Sequence, residues 1–328
     1  MINLVTDYSR VLNTLAPGID NHRVPAKAVP APNKLLHAFM LAACASLLTL
    51  SIIGCWLTSA SELRDLVVAP VLLAISIVPA AILHDYRQYA RRDAVLTLPW
   101  IVVLVFLIPC LAVLSAQLHF PLRDSFFLKM DDALGFRVPA AMAWSSAHPL
   151  IGGLLNSSYS LLDWLVIGAV LFPIIFGKAR AAEQFLLANT IAFLLALPIF
   201  TLLPAVGPWV GYHLTPDAAQ RICEMSIRTL HGEFRVARQN TAVGVVCFPS
   251  FHVIWAILSA AALWSIKPLR MAAAGLAAII TISTVTTGWH YFADVLGAAV
   301  VAVMSILLAK PFLNIGTHVH KSSEFISR

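Results

Sequence analysis

The sequence predicts an all-α integral membrane protein of about eight transmembrane helices, a six-helix core preceded by two N-terminal helices. Three observations predict it. Of 328 residues, 59% are hydrophobic and only 12% are charged, about half the roughly 25% charged share of a soluble domain. Mean hydropathy is +0.83. Seven runs carry no charged residue (35–61, 66–84, 94–122, 138–162, 184–216, 239–266 and 271–293), and each approaches or exceeds the ~20 residues of a spanning helix. Backbone in lipid must bond to itself, which leaves helical bundles or closed barrels. The long unbroken runs lack the alternating segments of about ten residues that a barrel needs.

Taken in order, residues 1–34 hold scattered charges and the stretch VPAKAVPAP, and form a cytoplasmic N-terminal arm with no cleavable signal peptide. Spans at 35–57 and 66–83 make a two-helix extension over 35–94. Spans at 95–117, 152–176, 185–206, 249–266, 271–288 and 290–309 make the core, 95–309, and 310–328 is a cytoplasmic tail. Two outside connections are long. The first, 118–151, is expected to hold two short helices, one amphipathic, on the membrane surface. The second, 207–248, carries four arginines, Tyr212, His213 and His231; a connection of this length is ordinarily functional or disordered. No internal repeat and no separate soluble domain is visible.

Lysine and arginine placement sets the orientation. With the N-terminus in the cytoplasm, 14 of the 22 basic residues lie inside, including those of the short connections DYRQYARRD (85–93), GKAR (177–180) and KPLR (267–270). An even number of spans returns the C-terminus to the cytoplasm. The net charge of +6 follows from these loops and carries no nucleic-acid signal. Of five cysteines, Cys44, Cys55 and Cys110 read as small apolar packing residues inside spans. Cys223 and Cys247 share the second outside loop, where a disulfide is permitted but not required.

Two segments about forty residues apart carry chemistry: FPSFHV, with Ser250 and His252, and GWHYFAD, with His290 and Asp294. Pro249 suits the first turn of a helix. Ser250 and His252 then lie at the outer end of their span, where free N–H groups and the helix dipole favour a phosphate. His290 and Asp294 are four apart, hence on one helical face. The carboxylate can hold one imidazole nitrogen and leave the other to attack. The orientation derived from loop charges puts both histidines on the same outer face. A single membrane histidine is ordinarily a packing or interfacial residue, and a lone His–Asp pair can be half a metal site. Two such motifs on one face point to catalysis. A metal is not expected, because the sequence offers no third strong ligand there, with His213 and His231 the only reserve. No GxSxG, GxxxxGK or HExxH occurs, so serine acyl transfer and nucleotide hydrolysis have no support.

FPSFH followed by GWHYFAD resembles the second and third signatures of the type 2 phosphatidic acid phosphatase superfamily. HYFADVLGA, with YSLLD (159–163) and LLPAVGPWVGY (202–212), is similar to its branch of inositol phosphorylceramide and sphingomyelin synthases, an inositolphosphotransferase-like group. The resemblance covers about 95–309. It implies a cofactor-independent, metal-independent lipid phosphatase or head-group phosphotransferase. His290 would form a phosphohistidine, Asp294 would orient it, His252 would protonate the leaving oxygen and Ser250 would contact the phosphate.

The chain also departs from those signatures. The first, a lysine followed by an Arg-Pro pair, is missing before FPSFH. Thr284 stands where the third has arginine, and Phe251 where the second has glycine. The equatorial oxygens need positive charge, for which Arg235 and Arg238 are the candidates and Arg228 a lesser one. Asp163, expected near the bilayer midplane, and Tyr212 are candidates for head-group contact, with a structural pairing of Asp163 to Tyr159 or Ser160 as the alternative. The expected partners are a lipid phosphate substrate, a lipid hydroxyl acceptor if transfer occurs, and the bilayer. A non-catalytic lipid transporter or scramblase is the alternative from another class.

Overall fold

A computed structural model describes residues 115–116, 118–232 and 247–326, with side chains left undescribed at 179 and 312–326. The expected arm, the two-helix extension and nearly all of 95–117 lie outside the described residues, as do Arg235 and Arg238. Among the described residues every regular element is a helix: α1 (Asp124–Ala133), α2 (Val138–Ala147), α3 (Pro149–Tyr159), α4 (Leu162–Ile175), α5 (Ala179–Leu202), α6 (Pro208–Gly211), α7 (Ala218–Leu230), α8 (Phe251–Leu263), α9 (Arg270–Thr286) and α10 (Phe292–Ile326).

Among the described residues two helices are long and apolar enough to cross a membrane, Arg180–Leu202 of α5 and Phe292–Pro311 of α10, or three if a bent pair is one span. The expected continuous span at 152–176 is instead the pair α3 and α4, bent by 52° at Ser160 and Leu161. The two expected spans at 249–266 and 271–288 are the shorter apolar helices α8 and α9. The bend relocates Asp163. It lies in the first turn of α4 and is exposed, not in the middle of one continuous helix. A carboxylate at a helix N-terminus is favoured by the unpaired N–H groups and the dipole there, and the break supplies that terminus.

α8 is the central helix. Val253, Ile254, Ala256, Leu258, Ala262 and Leu263 are all buried, because α4, α5, α9 and α10 surround it. Against α4, α5 and α10 large side chains such as Leu186, Phe193, Ile254 and Leu258 pack with the small residues Ala169, Ala298 and Ala302 in one cluster. Against α9 the contact is made by Ala256, Leu263, Ala273, Ala277 and Ile280, whose alanines let the two helices approach closely. One polar link crosses the core: Trp255 Nε1 donates to Asn189 Oδ1 at 2.9 Å.

The bends and termini near α1 come together at one end of this bundle. α9 closes in a Schellman turn: Gly288, at φ 75°, and Trp289 send their N–H groups back to the carbonyls of Val285 and Thr284 at 3.0 and 3.1 Å. The His290 N–H joins Thr284 as well, at 3.0 Å. The turn is clasped by α7. Asp217 and Gln220 form a reciprocal capping box at its N-terminus, and Gln220 Nε2 lies 3.4 Å from the carbonyls of both Thr287 and Gly288. The connection expected at 207–248 therefore contains two helices, α6 and α7.

Candidate active site

His252, His290, Asp294 and Ser250 come together where α8 and α10 begin. The His252 and His290 ring centroids are 5.7 Å apart. His290 Nδ1 lies 3.2 Å from Asp294 Oδ2, with both residues buried. Their junction differs from the sequence expectation. α10 begins at Phe292, so the two residues meet across the turn that starts the helix, not along a helical face. Asp294 is the third residue of α10, and its Oδ2 also accepts the Tyr291 N–H at 2.9 Å. That is the reach an N3 side chain makes in a capping box.

Pro249 also sits outside the helical turn in which it was expected. Ser250 is the N-cap of α8, its hydroxyl accepting the Val253 N–H at 3.5 Å, and Pro249, after a cis peptide bond, lies outside the helix. His252 is thus in the first turn, as expected. Its Nδ1 is 3.3 Å from the Tyr159 hydroxyl, and the two rings stack at 4.4 Å. Tyr159, the last residue of α3, stands at the break before α4. The hydroxyl offered as a partner for Asp163 is used here instead.

Two carboxylates that hold this end together left little sign in the sequence. α1 buries Asp124, Phe127 and Asp131, so the inner stripe of this amphipathic helix is largely acidic. Asp131, fully buried, accepts the Ala293 N–H on Oδ1 at 2.8 Å and the Phe292 N–H on Oδ2 at 3.1 Å, satisfying the first two donors of α10. Asp124 accepts the N–H groups of Val206 and Gly207, the latter at 2.9 Å. The Tyr291 hydroxyl lies 3.0 Å from Asp124 Oδ1 and 2.9 Å from the Gly207 carbonyl, with one proton to share between them. Burial pushes both carboxyls up, and the N–H bonds oppose it. Tyr212 belongs to the same scaffold. It is half-buried, and its hydroxyl donates to Asp131 Oδ2 at 3.4 Å.

Asp131→Asn replaces an acceptor by an amide N–H facing a backbone N–H. The expected loss of stability is about 1–3 kcal/mol, read as a lower Tm in detergent. An unchanged Tm would show that Asp131 does not anchor α10.

Electrostatics suit a neutral nucleophile. Burial pulls His290 down to about 4, with the Cys247 backbone opposing, so its ring is uncharged at neutral pH. Among the described residues no lysine or arginine pairs with His252, His290 or Asp294. Arg228 is engaged with Glu224 at 2.8 Å.

Cys223 and Cys247 are both buried thiols with no disulfide between them. Cys247 donates to Asp294 Oδ2 at 3.1 Å and lies 4.0 Å from His290 Nδ1. The ligand atoms of Cys247, His290 and Asp294 fall within 4.8 Å of one another. This corrects the expectation that no third strong ligand stands at the His–Asp pair. The reserve ligands are elsewhere in kind, with His213 exposed and neither it nor His231 in that group.

The family model of the PAP2 superfamily matches residues 125–308, more than half of the chain. The chain belongs to that superfamily. No curated protein and no solved structure matches it. The matched region contains every residue of the histidine cluster and Asp131, while Asp124 stands one residue before it.

Proposed function

We propose that this chain, as a member of the PAP2 superfamily, cleaves a phosphate ester or anhydride of a lipid at the extracytoplasmic face through a phosphohistidine on His290. The superfamily supports phosphatase or phosphotransferase chemistry. The observation that carries the finer reading is the pairing of two imidazoles 5.7 Å apart with a carboxylate on Nδ1 of one of them.

Asp294 keeps the Nδ1 edge of His290 occupied, so Nε2 offers the lone pair. Nε2 attacks phosphorus and the bond from phosphorus to the departing oxygen breaks. His252, steadied by Tyr159, gives that oxygen a proton. In the second half a water or a lipid hydroxyl loses its proton to His252 and attacks phosphorus, and the N–P bond breaks. Water makes a phosphatase. A lipid hydroxyl makes a head-group transferase of the inositolphospho type, the branch to which HYFADVLGA is similar. Ser250 caps α8 and directs that helix end, with its free N–H groups, toward the phosphate. Arg235 and Arg238 are proposed to bring the missing positive charge from the outside loop, and Tyr212 and Asp163 to meet the head group.

The test is product analysis by mass spectrometry after incubating the purified chain with a lipid extract, with and without added ceramide or diacylglycerol. Free phosphate is expected for hydrolysis and a new head-grouped lipid for transfer. Neither product from any phospholipid class would end the reading.

A further inference from the structure

We infer that Cys247, His290 and Asp294 form a binding site for a zinc-class divalent cation, and that filling it silences His290. The second half of this inference rests on the function proposed above; the first does not.

The donor set is one that zinc prefers: a thiol, an imidazole and a carboxylate. Donors held 2.0–2.3 Å from a tetrahedral ion stand about 3.3–3.6 Å apart. The observed separations are 3.1 Å (Sγ to Oδ2), 3.2 Å (Nδ1 to Oδ2) and 4.0 Å (Sγ to Nδ1). Shifts of about half an ångström would complete three corners and leave the fourth for water. The three residues come from two chain segments that α1 and α7 already hold in place, so the site is built before any ion arrives.

A second observation points the same way. Asp294 is fully buried, and its Oδ1 has no hydrogen-bond partner, while Oδ2 is crowded by Nδ1, Sγ and the Tyr291 N–H. A buried charge is ordinarily paired or bound to a metal, yet no described cationic side chain pairs with this carboxylate. A divalent ion would meet that need. Its binding displaces the Cys247 proton to solvent, because a coordinating thiol is held as the thiolate. Two positive charges then meet one thiolate and one carboxylate, and the buried cluster is neutral.

Silencing follows from the imidazole tautomer. A metal on Nδ1 uses that lone pair, so the ring proton must sit on Nε2. The nitrogen proposed to attack phosphorus is then an N–H donor with no free pair. Asp294 is withdrawn from its orienting role by the same event.

The test uses the full chain in detergent, stripped with a chelator and titrated with Co2+. A thiolate-to-cobalt charge-transfer absorption is expected, saturating at one ion per chain and displaced by Zn2+. It should vanish in Cys247→Ser and Cys247→Ala and persist in Cys223→Ser, which removes the other described buried thiol. No such absorption in the parent, persistence in both Cys247 variants or loss in Cys223→Ser would overturn the site. X-ray absorption of the zinc-loaded parent needs no variant. It should show one sulfur at about 2.3 Å with nitrogen and oxygen at about 2.0–2.2 Å, and a shell without sulfur overturns the site equally. For silencing, Zn2+ should inhibit product formation by the parent at a concentration at least tenfold lower than it inhibits Cys247→Ala. Stimulation by Zn2+, or equal sensitivity of the two, overturns that half. A chain that turns over no lipid phosphate fails the proposed function, while the cobalt spectrum still decides the site.

Discussion

His290→Ala is expected to reduce kcat/KM for a lipid phosphate by roughly 10^4–10^6-fold, the range lost when a nucleophile acting in a concerted unit is removed, while leaving the chain folded. The ring is buried beside Asp294, but the turn carrying it is fixed by backbone bonds. The N–H of residue 290 goes to the Thr284 carbonyl, and Gly288 makes the Schellman turn. Alanine keeps those bonds. Retention of phosphorus from labelled substrate as acid-labile phosphohistidine should disappear with activity. His290→Gln, polar and nearer the histidine in volume, guards against a packing artefact. Residual turnover above a hundredth of the parent in both variants would exclude His290 as nucleophile, and unchanged lipid movement with no phosphorylated parent would favour a transporter. The pH profile bears on the same group. Protonation removes the attacking lone pair, and burial holds the free enzyme's His290 near 4. The acid limb of kcat/KM is therefore expected near pH 4, below the ordinary histidine value of about 6.5. A limb at 6.5 would mean that the ring is solvated before substrate binds.

The histidine motifs were legible because their information is local. FPSFH and GWHYFAD each span a helix start, and a charge count on short loops sufficed to put both on one face. Helix existence was legible for the same reason, since charge-free runs at 184–216 and 271–293 contain most of α5 and nearly all of α9. What the sequence hid is non-local. Asp124 and Asp131 look like the solvated face of an amphipathic helix. They are buried because the N–H groups they satisfy belong to residues 82 to 162 positions away, and no period in the sequence encodes such a pairing. The break between α3 and α4 was hidden by a charge-free run with no proline at the bend, so 152–176 read as one straight helix. Cys247 was noticed only for its possible pairing with Cys223. Its place three residues before Ser250 was a usable signal, since whatever precedes the cap of α8 must approach the start of α10. Gly288 carried a legible signal too, as the left-handed residue that ends α9 and aims the next two side chains.

Asp294→Asn is expected to lower kcat by about 10^4-fold, the loss seen when the carboxylate orienting a catalytic imidazole becomes an amide and the wrong tautomer is held. Oδ2 accepts from His290 Nδ1, Cys247 Sγ and the Tyr291 N–H. An amide must choose. With its oxygen kept on the Tyr291 N–H, the remaining edge is an NH2 that donates, and it can serve His290 only if Nδ1 gives up its proton to Nε2. With the amide flipped, an NH2 faces the Tyr291 N–H and the start of α10 is disturbed. The first outcome removes the nucleophilic pair from Nε2 with little change in Tm or KM, because the side chain keeps its volume and does not bind the head group. Asp131→Asn separates this from a general weakening of the helix start. It strikes the neighbouring donors, Phe292 and Ala293, and should cost Tm while leaving kcat in the folded fraction within about tenfold. The pair of variants thus divides the two carboxylates, one setting where α10 begins and the other which nitrogen of His290 carries the proton. If Asp294→Asn keeps more than a tenth of kcat while its Tm falls as far as that of Asp131→Asn, Asp294 is a helix cap alone and the imidazole is oriented by something else.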